Sequence, residues 1–305
     1  MKKVIRLGTR DSELALWQAT TVQKKLLALG YSCDLVPVKA TGDLQLNVPL
    51  YELGITGIFT KTLDIAMTKG EIDIAVHSLK DVPTRLPNNI VQAAVLERAN
   101  PMDILVHKGL DFLNTEGVVA TGSLRRKAQW LRRYPHHEIE ELRGNVNTRL
   151  QKLRDNRWNA AIFAAAGLER INKVPEKHTT LHWMVPAPAQ GAMVVVVRAA
   201  DKELLESLAI LNHLPTELCT RVEREFLREL EGGCTAPIGA LATLSGELLH
   251  FKGILLTLDG QESIAVEKEI AIADAEGFGK SCAREVLQNG GSQMMEKIKR
   301  EMENN

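Results

Sequence analysis

Residues 72–83 read IDIAVHSLKDVP and set a lysine and an aspartate side by side where an apolar run stops. Ile72, Ile74 and Val76 alternate as a buried strand does, and Ser78, Lys80 and Asp81 then appear before Val82 and Pro83 bend the chain away. Two readings fit the pair. Aspartate favours turns and a proline follows, so Lys80 and Asp81 can simply end a strand. They can equally be a cation and a carboxylate shown at the carboxyl end of a core strand. A lone carboxylate among cations stays ionised, ready to accept N–H hydrogen bonds or to stabilise positive charge.

Three further stretches, RLGTRDSELA, VATGSLRRKA and ELRGNVNTRL, share one design. In each, a strand pattern meets a small residue or glycine, and arginine stands at or beside the start of a helical pattern. Helix N-termini offer unpaired N–H groups and partial positive charge, so Arg10, Arg125, Arg126 and Arg143 make sites suited to carboxylate or phosphate. Arg149 lies in the helix that the third junction opens, and Arg170 follows the strand and turn of AAIFAAAGLER. In open α/β sheets ligands sit outside the carboxyl ends of the strands, where all these groups would collect. One arginine alone is most simply a solvated surface residue; repetition at equivalent junctions argues for an anion site. LRRKAQWLRR also resembles a basic patch with an aromatic for nucleic acid, but Arg132 and Arg133 fit the solvated outer face of that helix better.

The other chemical anomaly is LEGGCTAPIG, residues 230–239. Cys33 and Cys282 fall in apolar patterns and Cys219 on a long helix, which makes them core residues. Cys234 follows two glycines at a helix end and precedes Pro237, so it belongs to a turn with some exposure. It is either an ordinary loop thiol or a reactive or covalently modified one. No C-x-x-C pair and no metal-ligand spacing with histidine occurs, which argues against zinc and against a disulfide scaffold. His77 reads as a structural, hydrogen-bonding histidine.

These groups need a frame to position them. A chain of 305 residues with 45% hydrophobic and 25% charged side chains is a globular protein long enough for two or three cores. Lys+Arg 38 against Asp+Glu 38 leaves no net charge, which disfavours wholesale nucleic-acid binding. The N-terminus lacks an apolar signal core and no apolar run approaches the roughly 18 residues of a membrane span, so a cytoplasmic protein with no membrane partner is expected. Strand patterns (VIRLG, LVPVK, IDIAVHS, IVQAAVL, DILVH, VVAT, EIEEL, AAIFA, MVVVVR) alternate with helical ones through about residue 212. The first helix opens on Ser12 as N-cap and stops at Gly30. From about residue 213 a long helix, a block of strands and a terminal helix suggest a separate small α+β domain.

Taken in order, HSLKDVP, ATGSLRR, LRGNVNTRL, AAAGLERI, PAQGA and LEGGCTAPIG span nearly the whole chain, which resembles the porphobilinogen deaminase (hydroxymethylbilane synthase) family. The resemblance implies two periplasmic-binding-protein-like α/β domains around a cleft plus a small α+β C-terminal domain. Their expected bounds are 1–98 with 192–212, then 99–191, then 213–305, with hinge segments near 97–101 and 189–194. It also implies a monomeric cytoplasmic transferase that joins four porphobilinogen molecules head to tail. The growing chain is primed by a dipyrromethane, one per chain, held by a thioether to the residue matching Cys234; ammonia and hydroxymethylbilane are released. Each pyrrole ring carries an acetate and a propionate, hence the arginines. Asp81 matches the catalytic aspartate. Arg10, Ser12, Lys61, Lys80, Arg125, Arg126, Arg143, Arg149 and Arg170 match positions that hold cofactor and substrate, with Ser78, Thr121, Asn145 and Gln190 as nearby polar contacts.

The chain departs from the family pattern at four places. Thr56, in a segment matching a mobile lid, stands for lysine; Gly122 stands for serine, Ala189 for glycine and Met102 for arginine. Two other classes remain for comparison. A non-catalytic binder of organic anions would need the arginines but neither Asp81 nor Cys234. A cysteine-nucleophile enzyme would need a base beside Cys234, and no histidine can be placed there.

Overall fold

The computed structural model describes residues 4–38, 60–230 and 236–303. Cys234, Thr56 and the rest of the expected lid up to residue 59 lie outside the described residues. In chain order the elements are β1 (Ile5–Thr9), α1 (Glu13–Ala28), β2 (Cys33–Pro37), α2 (Lys61–Thr68), β3 (Ile74–Ser78) and β4 (Ile90–Val95). Next come β5 (Asp103–His107), β6 (Val118–Ala120), α3 (Leu124–Arg133), β7 (Glu138–Glu140), α4 (Val146–Asp155), β8 (Ala160–Ala164), α5 (Ala165–Arg170) and β9 (His178–Thr180). The chain ends with β10 (Met193–Arg198), α6 (Lys202–Leu208), α7 (Leu214–Glu229), β11 (Ile238–Ser245), β12 (Leu248–Leu256), β13 (Ser263–Ala271), α8 (Phe278–Val286) and α9 (Ser292–Glu303).

Two five-stranded sheets repeat one plan, with orders β2-β1-β3-β10-β4 and β7-β6-β8-β5-β9. In each, three parallel strands are followed by one antiparallel strand. That antiparallel strand is the one the chain reaches by crossing from the other sheet: β5 after β4, and β10 after β9. This is the mixed α/β arrangement expected, in two similar halves.

The plan decides where functional groups go. Parallel β1, β2 and β3 end at one edge, and β10, running the other way, begins there with Met193 opposite Ser78. In the second sheet β6, β7 and β8 end at one edge, and β5 begins there with Asp103 opposite Ala164. Each sheet edge therefore carries strand ends and one strand start.

Local sequence explains the elements. α1 is capped by Ser12, whose Oγ accepts the Ala15 N–H at 3.4 Å, and the chain leaves it through Gly30 at φ +80°. Its Ala19, Val22 and Leu26 pack on the first sheet. The unbroken apolar run of β10 suits a strand covered on both faces: Met193, Val195 and Val197 join one core and Val194 and Val196 another. α5 and β9 were not anticipated; AAGLER is short enough to read as a turn, and HTT carries no periodicity. The single terminal helix expected is instead α8 and α9, kinked where Gly290 takes φ +102°.

Strands β11, β12 and β13 form a third, antiparallel sheet, with α7 and α8 packed on it. Phe226 of α7 and Phe251 of β12 meet edge to face at 5.2 Å, and a Cβ on Gly253 would lie 2.6 Å from the Phe226 ring. The two crossing segments pair with each other, Ala99 N–H donating to Gly191 O at 3.1 Å. A Cβ on Gly191 would lie 2.6 Å from the Ala99 carbonyl, so glycine is required there by both space and its φ of +87°.

Glu223 of α7, wholly buried, holds this junction. Its carboxylate accepts from Arg98 Nη1 (2.6 Å) and Nη2 (3.1 Å), from Ala189 N–H (2.6 Å) and from Ala242 N–H on β11 (2.7 Å). Ala189 is thereby kept at φ +62°, a left-handed conformation that an alanine adopts only under constraint. Replacing Ala189 by glycine removes a penalty of roughly 1–2 kcal/mol, offset in part by glycine's greater chain entropy. Ala189→Gly should thus melt roughly 1–3 °C higher than the parent. A lower melting temperature would show that the junction imposes no strain there.

Candidate active site

The LKD stretch is both things its sequence allowed. Leu79–Asp81 is one 3-10 turn, and it sits at the carboxyl end of β3. Leu79 anchors it, buried, with its N–H on Ala192 O at 3.0 Å. Ser78 is fixed by Gln18 of α1, whose Nε2 donates to its Oγ at 2.8 Å. Lys80 Nζ donates to Gln190 Oε1 at 3.1 Å. Burial pushes the Lys80 amine down to about 8, Arg126 and Arg125 pushing the same way while Asp81 and Asp103 oppose. The His77 ring is buried and pushed down to about 4 by desolvation and then by Arg10, so it is neutral. Its Nε2 has no hydrogen-bond partner among the described residues.

In the second sheet the organising group is Asp103, which the sequence reading missed. Arg125 Nη1 donates to its Oδ2 at 2.7 Å, and Arg126 Nε and Nη2 donate to its Oδ1 at 3.0 and 2.7 Å. Gln190 Nε2 donates to the same Oδ1 at 3.0 Å and to Pro101 O at 2.8 Å. Burial alone would raise the Asp103 carboxyl; Arg125 and Arg126 together hold it well below the usual carboxylate range. Arg125 and Arg126 also donate to the carbonyls of Val185 (2.8 Å) and Ile162 (3.0 Å). Both guanidiniums are therefore buried and internally paired, and Arg125 Nε is a buried donor with no hydrogen-bond partner among the described residues. The signal available in sequence was an acid opening the apolar strand DILVH: two arginines that enter a core need a counter-ion.

The other predicted residues fall as follows. Arg149 donates Nε to Gly144 O at 2.7 Å and is pushed down to about 10 by burial, then by Arg126 and Arg143, with Asp81 and Glu141 opposing. The Asp81 charge thus reaches both Lys80 and Arg149. Arg170 donates to Gly191 O at 2.6 Å, lies 5.5 Å from the Trp17 ring centroid and is likewise lowered to about 10 by burial. Arg10 and Arg143 are half-buried at the ends of β1 and β7. Ser12 and Asn145 are the N-caps of α1 and α4, Asn145 Oδ1 accepting the Thr148 N–H at 3.0 Å, so their side chains are engaged locally. Thr121 Oγ1 accepts the Ser123 N–H at 3.2 Å. Lys61 is exposed at the start of α2. A Cβ at Gly122 would lie 2.7 Å from Leu142 O, so the loop bearing Arg143 approaches β6 more closely than a serine there would allow. Met102 is held through its backbone, its N–H on Asn100 Oδ1 at 3.0 Å and its carbonyl accepting the Ala165 N–H at 3.0 Å.

Chemically, this edge gathers cations around one half-exposed carboxylate, Asp81. It can take an organic polyanion and stabilise one developing positive charge. Among the described residues no group of three or more His, Cys, Asp or Glu could hold a metal, and no helix is long and apolar enough to cross a membrane. The family model described as porphobilinogen deaminase, dipyromethane cofactor binding domain, matches residues 5–206, and that of the porphobilinogen deaminase C-terminal domain matches 217–288. The chain belongs to the porphobilinogen deaminase family. It is 42% identical over 302 residues to the porphobilinogen deaminase of Moorella thermoacetica, covering 97% of this chain and 96% of that one. It is 40% identical to those of Pelotomaculum thermopropionicum (99% of both chains) and Synechococcus elongatus (96% and 95%). The part matching the family's cofactor-binding model runs from β1 through α6, so it takes in both five-stranded sheets and both edges.

The Asp103 cluster yields a stability prediction. Asp103→Asn leaves two buried guanidiniums without their carboxylate, a loss of about 3–5 kcal/mol. Because the folded carboxyl is held below its unfolded value, its contribution is fully present above the unfolded pKa and is lost as pH falls through the folded one. Denaturant unfolding should therefore show the full gap between variant and parent at neutral pH, narrowing only in strong acid. Equal stabilities at neutral pH would count against the network.

Proposed function

We propose that the chain is a hydroxymethylbilane synthase: it joins four porphobilinogen molecules head to tail onto a covalently held dipyrromethane, releasing ammonia and hydroxymethylbilane. What carries this reading is one juxtaposition, the half-exposed Asp81 turn set against Lys80, Arg149 and the buried Arg125–Asp103–Arg126 cluster, in a chain of this family. The residues suit the cofactor, for its acetate and propionate groups call for cations, and Arg125 Nε is a buried donor with no hydrogen-bond partner among the described residues. When bound, the dipyrromethane supplies the pyrrole terminus from which the product is extended.

The chain's own residues do the rest. Arg10, Arg143, Arg149, Arg170, Lys80 and Lys61 hold acidic side chains of cofactor and substrate by charge-assisted hydrogen bonds. Arg125 and Arg126 hold them while paired to Asp103, which keeps both guanidiniums in fixed directions. Ser12, Ser78, Thr121, Asn145 and Gln190 shape the same edge. Asp81 accepts pyrrole N–H bonds and offsets the positive charge that develops as ammonia leaves. Cys234 is the attachment point. Cys33, Cys219 and Cys282 are unsuited to it, being buried with thiols pushed up to about 11 by desolvation.

Residues 1–98 with 192–212, 99–191 and 213–305 act as three domains, the first two closing on substrate about the segments near 97–101 and 189–194. The enzyme works as a cytoplasmic monomer on a small molecule, without nucleic acid or membrane.

Denatured protein, purified without added substrate from a cell able to make porphobilinogen, should be heavier than its sequence by two pyrrole units, and substrate should add further ring-sized steps. Cys234→Ala should fold yet show neither the added mass nor product. Sequence mass in the parent, with full activity in the variant, would overturn the assignment.

Asp81→Asn keeps size and shape but removes the charge. Single-turnover rates should fall on the order of 10²-fold with substrate binding little changed. A variant as fast as the parent would reduce the pair to a turn.

A further inference from the structure

The turn that carries Asp81 is gripped from outside its own sheet. Arg224, one residue beyond Glu223 on α7, donates Nη1 to the carbonyls of Leu79 (3.2 Å) and Val82 (2.9 Å) and Nη2 to that of Pro83 (2.7 Å). No backbone N–H of the described residues reaches the Val82 or Pro83 carbonyl, and the proline itself brings no N–H. On the β3 side the turn is tied by Leu79 N–H to Ala192 O; on its far side the fork of Arg224 takes that part. Three carbonyls converging on two nitrogens suit a planar guanidinium, whereas an ammonium on a flexible stem cannot match them all. Burial lowers the Arg224 guanidinium to about 10 and leaves it charged near neutral pH.

α7 has two further attachments. Through Glu223 it holds both crossing segments, and it ends at Glu229, just ahead of the segment that bears Cys234. We propose that Arg224 is a positioning residue for the reaction: it sets the height of the Lys80–Asp81 turn against α7 and thereby the place of the Asp81 carboxylate. Arg224 touches neither substrate nor reacting atoms and acts through Asp81. This rests on the function proposed above.

The test is a double-mutant cycle on holoprotein, with the attached mass checked first. Arg224→Ala should carry the dipyrromethane mass and keep KM within about threefold, while single-turnover rates fall about ten- to hundredfold, the loss expected when a reacting group is displaced by about 1 Å. Asp81→Asn combined with Arg224→Ala should be no slower than Asp81→Asn alone, because both changes disable the same group. Full turnover in Arg224→Ala, or losses that multiply in the double variant, would overturn the proposal. If Arg224→Ala does not fold, Arg224→Lys, which keeps the charge without the fork, decides the same cycle. A parent protein lacking the cofactor mass would instead overturn the function itself, which keeps the two failures apart.

Discussion

One buried carboxylate joins all three sheets. Glu223 accepts from a side chain on one crossing segment, a backbone N–H on the other and a backbone N–H of β11, so each partner comes from a different stretch of chain. An ion taken out of water is destabilising unless its lone pairs are filled by well-placed donors, and here four donors within 3.1 Å fill them. That demand fixes the geometry around it: Ala189 accepts a left-handed backbone so that its N–H can point at the carboxylate, and Arg98 spans from Glu223 to Gln190 O. Gln190 in turn reaches Lys80 on one sheet and Asp103 on the other. The path from the crossing segments to the Lys80–Asp81 turn is therefore a run of hydrogen bonds with few rotatable links.

Charge at the sheet edges follows a division of labour. Arg125 and Arg126 share the one carboxylate of Asp103, which orders both guanidiniums and cancels one of their two positive charges. Lys80, Arg149 and Arg170 lack a carboxylate partner at bonding distance among the described residues, and all three are depressed by burial. A group whose charge is disfavoured by desolvation gains most when an anion arrives. All three stay charged near neutral pH, so an acidic ligand meets cations that burial has stripped of water.

Much of this was legible beforehand, and the reasons are physical. Strands β5, β8 and β10 match the predicted runs end to end because each is a short, largely apolar and buried stretch. The cap Ser12 announced α1. The placement of Arg10, Lys80, Asp81 and Arg143 beyond strand ends could be read from sequence because the ends of parallel strands share an edge whatever the details. Spacing alone does not pair Arg125 and Arg126 with Asp103, because the aspartate stands some 22 residues earlier, at the start of the antiparallel strand β5. Arg224 escaped for the same reason: on a helical pattern it looks like any solvated face residue, and only tertiary packing brings three carbonyls to it.

The strand order has a further effect, on how the molecule comes to be made. β10 lies between β3 and β4, yet it leaves the ribosome only after every strand of the second sheet. Until then β3 and β4 have no shared neighbour, and a strand without its neighbour offers unpaired N–H and C=O groups to any other chain. The second sheet has no such wait, since its strands β5 to β9 are contiguous in sequence. Synthesis from the N-terminus therefore supplies every strand of the second sheet before the first sheet can be closed by β10, a contact of long sequence separation of the kind that forms slowly.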